Sequence, residues 1–295
     1  MSELTDFRDR FVSMHGAIAQ LIILNVALYL AMVVLYVIGL LAGTQAFQGF
    51  FSTWLFLPAD PLTFLTRPWT LLSYQFLHSP SPFHILFNML WLYWLGRIYR
   101  HEAGDRGVWS TYLLGGLAGG LFYMLIINLA PGLAGMRSAI LVGASASVNA
   151  IIVAAAVRLP NLTLNLLFLG PVKLKWLVLG VLVLDFVGLL GGNPGGMLAH
   201  LGGAGVGFLL ARMELQGRPV RLPQFNWPSF SFGKKQKASK LRVVHDSRNA
   251  GSGSRRAPQT DAEAELNRIL EKINKVGYAK LTQQEKEFLF KASQD

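Results

Sequence analysis

Six stretches of this chain, 17–42, 83–99, 108–130, 139–157, 175–190 and 197–213, are apolar enough to cross a lipid bilayer. Crossing takes about 20 residues at 1.5 Å per residue. Inside hydrocarbon a segment must satisfy its own backbone hydrogen bonds, so each stretch is predicted to be a helix. The composition agrees: 52% of residues are hydrophobic and only 15% charged, where a soluble domain would carry about a quarter. The fold class read from these runs is an all-α membrane protein with six transmembrane helices. The first run starts too far in, and is too long, for a cleaved signal peptide, so it counts as the first span.

Orientation follows from the basic residues of the short loops. Arg8 and Arg10 precede the first span, Arg97, Arg100 and Arg106 follow the second, Arg158, Lys173 and Lys175 separate the fourth and fifth, and Arg212, Arg218 and Arg221 follow the sixth. The opposite loops carry only Arg67 and Arg137. Both termini are therefore expected on the cytoplasmic side. The first outer loop, 43–82, is rich in Phe and Trp and is expected to lie in the membrane interface.

Three units are predicted: a membrane domain over 1–213, a basic flexible linker over 214–260, and a small cytoplasmic helical hairpin over 261–295. The net charge of +11 sits mostly after residue 211, so it marks the linker and not the membrane domain. The run "KKQKASKLR" suits anionic lipid headgroups, and nucleic acid is not expected as a partner. The linker's Lys, Arg, Ser, Gly and Pro cannot bury a core and read as disordered. In the last unit Leu266, Ile269, Leu270 and Ile273 recur at helical spacing, Gly277 is placed to end that helix, and Thr282 with Glu285 forms a capping box before a second helix bearing Phe288 and Leu289. The apolar face of this hairpin needs a partner; its own second helix, the membrane and another protein all fit.

The chain contains no cysteine, which excludes disulfides, a thiolate nucleophile and Cys-ligated metal. No metal and no cofactor is expected. The chemistry must come from polar residues inside the spans, where they are expensive. Ser145 lies 13 residues before Arg158, His84 13 before Arg97 and His200 12 before Arg212. That places all three roughly 18–20 Å from the cytoplasmic side of a core about 30 Å thick. A hydroxyl and an imidazole at one level, with a second imidazole and Asn88 one turn from it, supply a nucleophile, its base and donors for an oxyanion. A lone membrane serine more often bonds the carbonyl one turn back; the shared depth is what argues against that here. Ala146, Ala150 and Ala154 on the fourth span, and Gly203 and Gly207 on the sixth, make small-residue faces that let the two helices approach closely. Ser147, about 200° round the helix from Ser145, is expected to face elsewhere. Asp185, the acidic residue deepest in a span, is read as a hydrogen-bonding contact to a neighbouring helix. The glycine-rich run "GGNPGG", 191–196, is read both as a mobile lid above the site and as a tight turn needing positive φ.

"FHILFNMLWLYWLG" in the second span, "GASA" opening the fourth and "AHLGGAGVG" in the sixth resemble, in order and position, the three motifs of the rhomboid intramembrane serine proteases. The resemblance covers about residues 15–213 and implies a six-helix rhomboid fold that cleaves peptide bonds in or beside transmembrane segments. It implies membrane-protein substrates with unstable transmembrane helices, Ser145 as nucleophile and His200 as general base in a dyad with no orienting carboxylate. His84 and Asn88, with the Ser145 backbone N–H, match the oxyanion-stabilising groups. "RPWT", 67–70, resembles a structural element of the family's first loop, and "LLFLGPVKLKW", 166–176, resembles the cytoplasmic connection of bacterial members. The 261–295 hairpin resembles a segment trailing some of them. Two departures matter. Ala146 replaces the glycine that commonly follows the serine, and Asn149 stands where many members stack an aromatic ring on the histidine, making its amide the candidate to position His200. His78 is read as a loop-edge histidine. The runner-up function is a rhomboid-like pseudoprotease that guides membrane clients without cleaving them. A bacterial inner membrane is the expected location.

Overall fold

The computed structural model describes residues 16–166, 170–190, 193–223, 261–276 and 280–292. The chain divides into two compact units, Met1–Trp227 and Pro228–Asp295.

The first unit is built from helices of unequal length. Helix α1 runs over Ala17–Leu41 and α2 over Ala46–Trp54; a short strand β1 (Leu57–Pro58) and the small helices α3 (Pro61–Thr66) and α4 (Thr70–Ser73) follow. Next come α5 (Pro82–Leu129), strand β2 (Ile140–Leu141), α6 (Ser145–Arg158), strands β3 (Thr163–Leu166) and β4 (Gly170–Lys173), α7 (Leu174–Gly188) and α8 (Pro194–Leu215). By length and composition three of these helices, α1, α5 and α8, are able to cross a membrane. The predicted second and third spans are one helical element in α5, broken at Gly104, whose φ of 69° and ψ of 176° only glycine adopts without strain. The apolar exterior suits lipid: Leu30, Val34, Leu40, Val183, Leu184 and Phe186 are all exposed, a surface that water would penalise.

Helix α6 is the centre of the unit. Every residue from Ala146 to Ala156 is buried, because α6 is enclosed by α5 and α8 through small residues. A Cβ placed on Gly203 would lie 2.1 Å from the Ala146 carbonyl oxygen, and one on Gly207 2.1 Å from that of Ala150. On the other side Gly115 and Gly119 of α5 would bring a Cβ to 2.2 Å from Ala150 Cβ and 2.5 Å from Ala146 Cβ. The α8 glycines thus meet the α6 backbone directly, and those of α5 meet its alanine methyls.

The predicted fourth span starts later than its apolar run. Residues 140–141 form β2, paired antiparallel with β1 (Leu57↔Leu141, Pro58↔Ile140), and the Gly143 N–H donates to the Tyr74 carbonyl at 3.1 Å. The helix therefore opens at Ser145 and is about 21 Å long, shorter than the hydrocarbon core. The first loop supplies the clamp. Within it the Arg67 guanidinium donates to the Thr53 carbonyl, Trp69 Nε1 donates to the Trp54 carbonyl at 2.8 Å, and the Trp54 and Trp69 rings stack 6.3 Å apart.

Two other readings change. The connection before α7, expected only as a loop, contains the antiparallel pair β3–β4, Thr163↔Lys173 to Leu166↔Gly170. The linker does not begin at Glu214. That residue is still in α8, and its buried carboxylate accepts from Arg158 Nη1 at 3.1 Å, from Tyr99 Oη at 3.1 Å and from Arg221. The Leu222 N–H donates to Ser110 Oγ at 2.9 Å. Opposite charges thus hold the chain to the helices through Leu222.

In the second unit α9 covers Asp261–Val276 and α10 covers Gln283–Ala292. Glu285 Oε2 accepts the Thr282 N–H at 2.8 Å while the Glu285 N–H donates to Thr282 Oγ1 at 3.4 Å, the reciprocal pair of a capping box. Lys272 Nζ donates to both Glu285 carboxylate oxygens at 2.8 Å, joining the two helices. The turn at Gly277, and the linker run "KKQKASKLR", lie outside the described residues.

Candidate active site

Ser145, His200, His84, Asn88 and Asn149 line one cavity of about 540 Å³, large enough for a segment of extended peptide. Its wall is aromatic along α5 (Phe83, Phe87, Trp91) and polar where α5, α6, α7 and α8 converge.

Ser145 is the first residue of α6, so its backbone N–H has no carbonyl one turn back and stays available at the positive end of the helix. Gly143, with φ of 138°, turns the chain into that position. A Cβ at Gly143 would lie 2.8 Å from His84 Nε2 and 3.6 Å from Ser145 Oγ, so glycine is what lets the His84 ring and the serine hydroxyl share one corner. Ser79 Oγ is 2.8 Å from His84 Nδ1. If the hydroxyl donates there, Nε2 carries the ring proton and faces the serine as a donor. Asn88, one turn on, donates to the His84 carbonyl through Nδ2 at 2.8 Å, which fixes its amide while leaving a second N–H. Ser147 is buried and donates to Gln75 Oε1 at 3.2 Å; it is absent from the cavity lining.

His200 sits near the start of α8, behind an N-terminal turn formed by Asn193, whose Oδ1 accepts the Gly196 N–H at 3.0 Å. Pro194 to Gly196 are thus the first turn of a helix, and neither Gly195 nor Gly196 has a positive φ. Gly191 and Gly192 lie outside the described residues. No hydrogen bond joins Ser145 to His200 among the described residues; both line the same cavity.

One expectation about the histidine is corrected and one refined. The dyad was read as lacking a carboxylate, yet Asp185 Oδ1 lies 2.8 Å from His200 Nδ1. Asn149, the candidate to position His200, reaches the ring only through that carboxylate: its Nδ2 donates to Asp185 Oδ2 at 2.8 Å. The reason is steric: α7 reaches the junction of α6 and α8, and its one acidic side chain occupies the space between amide and ring. Ser79 and the bridging role of Asp185 escaped the sequence reading. Ser79 carried a usable signal, lying five residues before a membrane histidine in a Ser-Pro turn. His78 lies in the loop before α5 and is fully buried there, 5.2 Å between ring centroids from His84, with neither nitrogen hydrogen-bonded among the described residues. Burial, followed by the neighbouring His84, pushes its pKa down to about 3, so it is a neutral packing group.

These features define a multi-pass helical membrane protein with a polar cavity that joins a helix-opening serine to a histidine on another helix. A rhomboid domain matches residues 65–217, over half of the chain, and the chain belongs to the rhomboid family, whose members are typically intramembrane proteases. A family of unknown function, DUF6576, matches residues 256–295. No curated protein matches the chain.

Proposed function

We propose that this protein is an intramembrane serine endopeptidase that cleaves transmembrane segments of other membrane proteins. The observation that carries this reading is the shared cavity: Ser145 and His200 face one space together with His84 and Asn88. Ser145 Oγ, losing its proton to His200, attacks the scissile carbonyl. The developing oxyanion meets donors from His84, Asn88 and the Ser145 N–H. His200 then protonates the leaving amine, and water releases the acyl-enzyme. Substrates are helices that unwind easily at the site, since an intact helix withholds its carbonyls.

In this reading the membrane domain, 1–213, makes six crossings with both termini cytoplasmic, the two halves of α5 counting separately and the short α6 crossing from mid-membrane. The membrane is a bacterial inner membrane. The basic segment after Leu222 binds anionic headgroups, and the 261–295 hairpin engages a partner of its own.

The test uses a fluorophosphonate probe on purified full-length protein, wild type against Ser145→Ala and His200→Ala, alongside cleavage of a generic transmembrane substrate. Labelling and cleavage that vanish in both variants support the protease. Binding of membrane clients with no Ser145-dependent labelling or cleavage would instead identify a pseudoprotease.

A further inference from the structure

Asp185 is a carboxylate on the fifth apolar stretch, in a chain with few intramembrane charges. Its side chain is only 12% exposed and that of His200 16%. A buried carboxylate is retained where something specific uses it. Here each oxygen has one partner: Oδ1 lies 2.8 Å from His200 Nδ1, and Oδ2 accepts the Asn149 amide at 2.8 Å. The three residues come from three helices, α6, α7 and α8.

We infer that Asp185 is a positioning residue for His200, held in place by Asn149, so that the site operates as a serine–histidine–aspartate arrangement. The inference rests on the protease reading above. A neutral imidazole carries one ring proton. A carboxylate at Nδ1 selects the tautomer with that proton on Nδ1 and leaves the Nε2 lone pair free for the serine hydroxyl. When Nε2 takes the Ser145 proton as the serine oxygen bonds to the carbonyl carbon, the imidazolium forms beside a negative charge. Asp185 stays ionised throughout, and the proton passes from Nε2 to the leaving nitrogen. The amide of Asn149 keeps the carboxylate from rotating away, since it pins the oxygen that the histidine does not use. It thereby performs, at one remove, the orienting task expected of the residue one turn after the serine.

A plain reading of the same contacts is polar adhesion between helices. The two separate on Asp185→Asn, which keeps the shape and the capacity to hydrogen-bond but lets the new amide donate to Nδ1 and favour the wrong tautomer. Full-length Asp185→Asn is expected to lose roughly 10²- to 10⁴-fold in kcat on a transmembrane substrate, with KM and thermal stability unchanged. Asp185→Glu should recover part of the loss. Independently of activity, ¹⁵N spectra of histidine-labelled wild type, assigned with His200→Gln, should show neutral His200 protonated at Nδ1. A wild-type kcat in Asp185→Asn, or His200 protonated at Nε2 in the wild type, overturns the inference while leaving the protease reading intact. Absence of Ser145-dependent labelling in the wild type overturns the protease reading, and this inference with it.

Discussion

Gly203→Ala isolates the packing on which the site depends. The added Cβ would stand 2.1 Å from the Ala146 carbonyl oxygen, 2.8 Å from its carbon and 3.1 Å from its Cα. These are backbone atoms of a fully buried helix, so no rotamer change relieves the clash. A carbon–oxygen contact relaxes near 3.3 Å, so α6 and α8 must part by roughly 1.2 Å. Overpacking of this kind costs typically about 1–3 kcal/mol, of which the better helix propensity of alanine returns up to about 1 kcal/mol. The functional effect should be larger than the stability effect. Ala146 follows Ser145 directly and Gly203 lies one turn after His200, so the shift is delivered to both reacting groups. A 1 Å misplacement is worth about 10²-fold in rate. The assay is fluorophosphonate labelling and substrate cleavage, with thermal unfolding in the same detergent. Gly205→Ala is the control, since a Cβ there meets nothing within 4 Å; it should match the wild type or be slightly more stable. Equal behaviour of the two variants, either both intact or both impaired, would refute the argument from helix contact.

Gly143→Ala forces a side chain onto a residue with φ of 138° and brings its Cβ to 2.8 Å from His84 Nε2; the strain is about 1–3 kcal/mol, and Ser145 labelling should fall while Gly132→Ala, in open space, leaves it unchanged. Glu214→Gln removes the buried carboxylate shared by Arg158 and Arg221 and leaves Arg158 only the longer contact to Glu102 at 3.5 Å. Because Glu102 remains, the cost should fall below the roughly 3–5 kcal/mol of a fully orphaned buried charge; a drop in melting temperature is expected, and an unchanged one would show the pair to be solvated. In the second unit the hydrogen bond from Lys272, and after it the Thr282 N–H, hold the Glu285 carboxyl down to about 2. A carboxyl depressed on folding stabilises the α9–α10 contact above the unfolded value of about 4.3, and that contribution disappears as pH falls from there through 2. Methyl spectra of Ile269 in the full chain should therefore lose their packed signal over that window, and Glu285→Gln should weaken it already at neutral pH.

Local pattern carried a good part of this protein. The long apolar runs announced α1, both halves of α5 and α8, because a helix in hydrocarbon closes its own hydrogen bonds and needs no distant partner. The capping box at Thr282 and Glu285 was legible for the same reason, its two bonds spanning three residues. The small-residue faces of α6 and α8 could be read as close contacts, since absence of side chains is itself a local property. Strands β3 and β4 were missed although the alternation in "LTLNL" was available, because a basic loop between spans explained those residues sufficiently.

What the chain alone determined is which polar groups stand in apolar stretches and how far each lies from the next basic residue: that count predicts Ser145, His84 and His200 at a common level, and all three line one cavity. What only the tertiary structure decided is which of them touch. Asp185 is 15 residues from His200 and 36 from Asn149, on separate helices whose rotation about their own axes is set by packing against all their neighbours. Distance along the chain is a one-dimensional quantity and follows from sequence. Facing direction is collective, and it is what turned an acidic residue read as a simple interhelical contact into the partner of the histidine.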